Sequence, residues 1–466
     1  MLDLNTKNLP EALFILCRHL SDAGGKAWLV GGCVRDLILG IEAKDFDLEV
    51  YGLHPETLQA ALQQLGRTNH VGQQFGVFKL QLHGMVFDIT LPRSEKKTGF
   101  GHCGFSITPA PFISTHTASL RRDFTINAMM FDPLNHTLVD HHGGLEDLEC
   151  GILKHVSPAF AEDPLRPLRA MQFAARLQLT LAPETALLCQ SLLHEAHTLS
   201  KERIWMEWQK WSHAPHPSYG LQVLLDSGWL SLYPELQALC GCPQSPFWHP
   251  EGDVWVHTLQ VCDQAAGIAI RNQLDDKTTE QLVLAALCHD LGKPETTLID
   301  DKSENISSPG HSKAGVPLAK SLLHSIAAPA RLMPYIAPLV TEHIAHLSCK
   351  PTDRAVRRLA HRLEPANIEL WEMLAEADAS GRAPLPASRT ALDWLNIAQK
   401  LQQHQSKATA LLSGKTLLAL GFHSGPALGA ILKEAYEAQL DGLFHDEDSA
   451  MQWFQRQQTT KNRPEE

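Results

Sequence analysis

Asp45 and Asp47 stand one residue apart, downstream of the glycine turn Leu29-Val-Gly-Gly-Cys-Val-Arg-Asp36. If Lys44-Asp-Phe-Asp-Leu-Glu-Val50 is a strand, alternation puts both carboxylates on one face and Phe46 and Leu48 on the other. Hard cations such as Mg2+ take oxygen ligands, commonly one or two carboxylates plus the phosphates of a substrate. The glycine turn and Arg35 offer backbone N–H groups and a guanidinium to a triphosphate. Taken together, these groups point to metal-assisted nucleotidyl transfer. A solvated strand edge beside a simple turn is the plainer alternative, and the pair alone does not choose between them.

Two further constellations follow. Arg121-Arg-Asp-Phe-Thr-Ile-Asn-Ala-Met129 could open a helix, with Asp123 near the positive end of its dipole. In Glu162-Asp-Pro-Leu-Arg-Pro-Leu-Arg-Ala-Met171, the residues Asp163, Arg166 and Arg169 recur at three-residue spacing and would share one helix face. Pro164 fits a first helical turn, and Pro167 restricts where the helix begins. A surface ion pair would account for this spacing. A carboxylate beside planar donor forks can also pair with the polar edge of a nucleobase.

The C-terminal half gathers His257, Cys288-His-Asp-Leu-Gly-Lys293, Gly310-His-Ser312, Glu342-His343 and Ala377-Asp-Ala-Ser-Gly-Arg382. Neutral imidazoles and carboxylates brought from separate helices are what a transition-metal site requires. With 25 histidines in the chain, any single one is more simply a surface or core residue. The adjacent His289-Asp290, with His257 upstream and Asp378 downstream, is a more specific pattern.

These groups need elements to hold them. Period-2 apolar patterning predicts strands at 27–30, 45–51, 77–82 and 85–91, with helices over 10–24 and 33–40. Between Pro92 and Pro111 there is no periodicity, which reads as a long loop. From Pro158 onward the pattern is helical. Gly and Pro cluster at 213–219 and again at 241–252, and the second cluster reads as a boundary. Four regions result: a mixed head at 1–155, a helical neck at 156–245, a histidine-rich helical region at 246–390 and a helical tail at 391–466.

A chain of 466 residues with 44% hydrophobic and 20% charged content reads as a soluble, multidomain globular protein. It has no apolar run of ~18 residues to span a membrane, and Met1-Leu-Asp-Leu-Asn-Thr-Lys7 lacks the features of a signal peptide. A cytoplasmic protein without a membrane partner is expected. Ten cysteines without a CxxC pair read as reduced residues, several in apolar helical patterns, with Cys240-Gly-Cys242 the one close pair. A net charge of −12 argues by itself against a nucleic-acid partner. Local clusters such as Arg121, Arg122 and Arg354, Arg357, Arg358 nevertheless allow a positive stripe on an acidic molecule.

In this order and at these distances, the three N-terminal constellations resemble the class II tRNA nucleotidyltransferase and poly(A) polymerase family of the DNA polymerase β superfamily, over about the first 215 residues. The resemblance implies an α+β fold: a polymerase-β-like nucleotidyltransferase head of mixed sheet and helices, followed by all-helical neck, HD and tail regions. It implies that Gly32 and Arg35 bind the triphosphate, that Asp45 and Asp47 hold catalytic Mg2+, and that Arg122 contacts the nucleotide. Asp163, Arg166 and Arg169 match the helix that selects CTP and ATP by pairing with the base. The Pro92-to-Pro111 stretch matches the family's flexible loop, implicated in the switch from C to A addition. Where the family helix often carries a further arginine, this chain has Gln172, which removes a charge there. Asp88, on a neighbouring predicted strand, is the candidate third carboxylate to activate the primer 3′-hydroxyl.

The histidine-rich region resembles the HD-domain metal-dependent phosphohydrolases. His257, His289, Asp290 and Asp378 match the four metal ligands, His311 and His343 match additional histidines, and Lys293 matches a lysine near phosphate. The implied metal is a divalent transition ion of the Mn, Ni or Co class, or Mg. The expected function is template-independent addition of CMP and AMP to the tRNA 3′ end from CTP and ATP, releasing pyrophosphate, by a monomer or homodimer. The HD domain would add 2′,3′-cyclic phosphodiesterase, 2′-nucleotidase or phosphatase activity. Rival readings are an enzyme adding only A or only CC, a poly(A) polymerase, a phosphohydrolase with a nucleotide-sensing head, and a non-catalytic tRNA-binding protein.

Overall fold

The computed structural model describes residues 9–42, 45–70, 77–97, 105–300 and 305–461. The chain forms two compact units, Met1–Trp211 with Tyr219–Leu232, and Ser212–Ser218 with Tyr233–Glu466. The first unit holds a mixed sheet with helices, and the second is largely helical.

The sheet of the first unit has seven strands: β1 (Lys26–Val30), β2 (Phe46–Tyr51), β3 (Arg67–His70), β4 (Val77–Leu82), β5 (Met85–Thr90), β8 (Met130–Asp132) and β9 (Thr137–Val139). Two further strands, β6 (Arg93–Lys97) and β7 (Phe105–Pro109), pair only with each other. The order across the large sheet is β3-β4-β5-β2-β1-β8-β9, antiparallel except where β2 runs parallel to β5. β1 lies inside the sheet, and its Ala27-Trp-Leu-Val30 is buried throughout, as a strand covered on both faces should be. β4 instead alternates, with Phe78, Leu80 and Leu82 buried and Lys79 and Gln81 exposed. The helix Glu11–Asp22 buries Leu13, Leu16, Cys17 and Leu20 at the three- and four-residue spacing of an amphipathic helix.

Three local expectations change. The Pro92-to-Pro111 stretch forms the β6/β7 ribbon, with Arg93 opposite Pro109 and Lys97 opposite Phe105; residues 98–104 lie outside the described residues. Its first strand, Arg93-Ser-Glu-Lys-Lys97, contains no apolar residue, so period-2 patterning had nothing to register. Arg121-Arg-Asp does not open a helix: it follows the short helix Thr115–Ser119 and precedes the 3-10 turn Thr125–Asn127. Asp163 lies ahead of its helix, which runs Arg166–Leu177, so Pro167 rather than Pro164 takes the first-turn position where a missing N–H costs nothing.

In the second unit, the helices Val254–Arg271, Asp276–Cys288 and Ile368–Ser380 pack together around residues such as Val261, Cys262, Leu284 and Leu374. Each begins at a side-chain cap: Asp253, Asp275 and Asn367 accept the N–H of Val256, Thr278 and Leu370. Helices His311–Ser325 and Met333–Glu342 complete the group that carries the histidines. The helical pattern is broken by two-residue strands at Leu298–Ile299 and Ile306–Ser307. The last helices, Pro426–Leu440 and Glu447–Lys461, bury Leu428, Ala435 and Phe454 with Leu412 and Leu417. No described helix is long and apolar enough to cross a membrane.

Candidate active sites

In the first unit a cavity of 890 Å³ is lined by Gly32, Arg35, Asp45, Asp47, Arg122, Asp163, Arg166 and Arg169, joining all three N-terminal constellations. Gly31, the residue before the helix Gly32–Ile38, has φ 76° and ψ −138°, a backbone region that glycine alone adopts easily. A Cβ there would stand 3.7 Å from Arg122 Nη1 and 4.0 Å from Asp47 Oδ2, so the turn lies close against both groups. On β2, Phe46 and Leu48 point into the core while Asp47 is exposed, as alternation requires; Asp45 sits exposed just before the strand. Burial, then the neighbouring charge of Asp88, push the Asp47 carboxyl above the usual carboxylate range. Asp45 and Asp47, with Asp88 on the neighbouring strand, offer the oxygen ligands that a hard divalent cation takes.

Asp88 is directly opposite Asp47 in the parallel β2/β5 register. It is not among the residues lining the cavity, and it pairs with Lys79 at 2.9 Å. Arg35 is in the wall but nearly inaccessible, at 1% exposure. Its Nε and Nη2 donate to Asp36 Oδ1 at 2.9 and 2.7 Å, and its Nη1 donates to Asn127 Oδ1 at 2.6 Å, so three of its five N–H donors hold protein groups. The arginines of the neck helix are similarly engaged. Arg166 donates to the carbonyls of Ala159 and Arg121 at 2.8 and 2.7 Å, and Arg169 donates to Asp123 Oδ2 at 2.9 and 2.6 Å. Burial opposes ionisation of Asp123, but Arg169 overcomes it and holds the carboxyl below its ordinary range. The third constellation is therefore wired into the second.

Three residues to which the sequence assigned no role complete this wiring. Glu49, 1% exposed, accepts from Arg121 Nη2 and the Tyr51 hydroxyl, both at 2.7 Å, and lies 3.6 Å from Arg122 Nη2. Its position two residues after Asp47, on the same strand face, was its only sequence signal. Asn127 accepts from Arg35, donates to Asp123 at 3.2 Å, and offers its carbonyl to Arg122 Nη1 at 3.1 Å. Arg203 donates to both oxygens of Asp163, at 3.1 and 2.8 Å. Gln172 is buried.

In the second unit every expected residue converges at helix ends. His257, His289 and Asp378 offer ligand atoms close enough for one ion, as do Asp290, His311 and His343 for another. Asp290 joins the two sets: its Oδ2 is 3.1 Å from His289 Nε2 and 3.7 Å from His257 Nε2, and its Oδ1 is 3.5 Å from His311 Nε2 and 3.8 Å from His343 Nε2. Asp378 Oδ1 lies 3.2 Å from His257 Nε2, and Lys293 Nζ lies 2.6 Å from Asp290.

The hydrogen bonds define the tautomers. Nδ1 of His289, His311 and His343 faces the carbonyl three residues earlier at 2.7 Å, and that of His257 faces the Gly381 carbonyl at 3.0 Å. A carbonyl can only accept, so each Nδ1 carries a proton, and a ring with no second proton presents a bare Nε2 to a metal. Those bare nitrogens face each other, His257 against His289 at 3.3 Å and His311 against His343 at 3.1 Å. Two lone pairs at that distance repel unless a cation lies between them, so the donor set fits divalent metal. Burial, then His289, lower the His343 pKa to about 3, which keeps it neutral and able to ligate.

Glu251, in the segment read from sequence as a boundary, was not foreseen. Its Oε1 lies 2.8 Å from His257 Nδ1 and 2.9 Å from His249 Nδ1. A carboxylate behind a ligating imidazole fixes the ring and raises its basicity.

The family model described as the poly A polymerase head domain matches residues 27–154, and that described as the probable RNA and SrmB-binding site of polymerase A matches residues 178–240. The HD domain model matches residues 254–375. The multifunctional CCA protein of Hahella chejuensis is 38% identical over 402 residues, covering 81% of this chain and 89% of its own. That of Pasteurella multocida is 39% identical over 370 residues, covering 77% and 84%. Two solved structures share the fold. The CCA-adding enzyme of Bacillus stearothermophilus in complex with CTP has a TM-score of 0.64 at 20% identity, over 97% of this chain and 98% of that one. The Thermotoga maritima enzyme complexed with tRNA has a TM-score of 0.59 at 19% identity, over 97% and 98%. With 38% and 39% identity to the two multifunctional CCA proteins over most of both chains, and with the head-domain and HD models matched, the chain belongs to the tRNA nucleotidyltransferase and poly(A) polymerase family, alongside the multifunctional CCA proteins.

Proposed function

We propose that the first unit adds CMP and AMP to the 3′ end of tRNA without a template, restoring the CCA terminus, and that the second unit is a metal-dependent phosphohydrolase acting on 2′,3′-cyclic or terminal phosphates. The observation that carries the first reading is the single cavity holding Asp45, Asp47, Arg122, Asp163 and the arginines of the neck helix. In the reaction the primer 3′-hydroxyl oxygen forms a bond to the α-phosphorus, and the bond from that phosphorus to the bridging oxygen breaks. Pyrophosphate then leaves. The hydroxyl proton would pass to Asp88, opposite Asp47 in the register, once its carboxylate leaves Lys79 and turns into the cavity.

Asp45 and Asp47 would hold Mg2+, which when bound neutralises charge on the α-phosphate and the leaving group. Arg122, in reach of the glycine turn, would face the triphosphate, while Arg35 holds Asp36 and Asn127 and has two N–H donors left for phosphate. Asp163, held by Arg203, and the donors left on Arg166 present a polar edge to the incoming base. In the second unit His257, His289, Asp290 and Asp378 would hold one divalent metal and Asp290, His311 and His343 another, of the Mn, Ni or Co class or Mg. Such a metal would supply a water of lowered pKa as the nucleophile toward a phosphate ester. Lys293, paired with Asp290, lines the same cavity.

Crossed variants test the two-site reading. Asp47→Asn should reduce nucleotide incorporation at least a thousandfold and leave hydrolysis of 2′,3′-cAMP at its native rate; His289→Ala should do the reverse. Loss of both activities in either variant, with folding intact by circular dichroism, would contradict it.

A further inference from the structure

The cavity over the histidines is larger than a phosphate needs, 500 Å³, a size at which whole small ligands bind. Its floor is buried and polar, formed by Asp290, His343 and Asp378. Its rim is apolar and exposed: Trp248 lines it at 62% exposure and Leu347 at 68%. Arg382 lies between, donating to Asp378 Oδ1 at 2.9 Å, while its Nε is buried without a hydrogen-bond partner among the described residues.

Trp248 is held in place. Phe247 packs edge-on against it, with ring centroids 4.8 Å apart at 88°. The N–H groups of Trp248 and His249 donate to the Ser245 carbonyl at 3.1 and 2.9 Å. His249 then donates to Glu251, which also bonds His257. One short segment thus ties the exposed indole to the metal-ligand histidine.

Resting on the phosphohydrolase reading above, we infer that Trp248 is a stacking platform for the nucleobase next to the scissile phosphate. The site then takes a nucleoside phosphate, free or at an RNA 3′ end, in preference to phosphate esters at large. Aromatic stacking is sequence-tolerant, so every base is accepted.

The test compares wild type, Trp248→Ala and Trp248→Phe as full chains on 2′-AMP, on the trinucleotide CCA bearing a 2′-phosphate, and on glycerol 2-phosphate. Trp248→Ala should raise KM for the nucleotide substrates about five- to a hundredfold with kcat held, as expected for lost uniform binding. Trp248→Phe should restore most of the affinity, and glycerol 2-phosphate should be unaffected. A rise with 2′-AMP alone would assign free nucleotides as the ligand, and a rise with the trinucleotide alone would assign RNA ends. An equal rise with glycerol 2-phosphate, or none with either nucleotide, would overturn the stacking role. Failure of the wild type to hydrolyse all three would instead overturn the phosphohydrolase reading, and this inference with it.

Discussion

Individual side chains in both sites are set by partners that supply charge or define protons. Asp163 shows how this bears on specificity. A carboxylate offered to a base must hold one orientation, and Arg203 grips both of its oxygens. Asp163→Ala should lower the preference for CTP and ATP over UTP and GTP tenfold or more, the scale of one lost bidentate base contact. Arg203→Ala should move that ratio in the same direction while Asp163 remains. Competition assays on a tRNA ending before the terminal A check both, and an unchanged ratio in Asp163→Ala would remove it from base selection. Glu49 and Glu251 belong to the same scale: neither is in a motif, yet one holds Arg121 beside Arg122 and the other orients His257.

At the level of elements, close approaches decide where the sites can form. Gly292 follows the His-Asp pair, and a Cβ there would stand 2.1 Å from the His311 carbonyl oxygen and 2.6 Å from the Gly315 N. Gly292→Ala must therefore push the His311–Ser325 helix away from Asp290. It should cost about 1–3 kcal/mol, as overpacking does, and reduce hydrolysis at least tenfold while nucleotide incorporation is unchanged. Urea unfolding and the two activity assays measure this. Buried strands were legible in sequence, Ala27-Trp-Leu-Val30 as an unbroken apolar run covered on both faces and Val77–Leu82 by the alternation that one buried face imposes. The β6/β7 ribbon was not, because Arg93–Lys97 has no apolar residue to show a period, and neither was β8, whose partner β1 lies about a hundred residues earlier, nor the placement of Asp163 ahead of its helix. The motif residues were legible by type and spacing. Their wiring, such as Arg166 to the Arg121 carbonyl and Arg169 to Asp123, depends on tertiary approach and left no local pattern.

On the scale of the whole molecule, two compact units each carry a core and a polar cavity with its own carboxylates. The first cavity gathers six arginines among six carboxylates, so its lining is balanced in charge within a chain whose net charge is −12. The central claim is that this cavity completes a CCA terminus. Its most direct test incubates the protein with tRNA transcripts ending before CCA, after the first C and after CC, with CTP and ATP supplied separately and together, and sequences the products. The account predicts two C additions to the shortest transcript with CTP, a single A on the transcript ending in CC with ATP, and a complete CCA with both. Runs of A beyond one, or no addition to the shortest transcript, would contradict it.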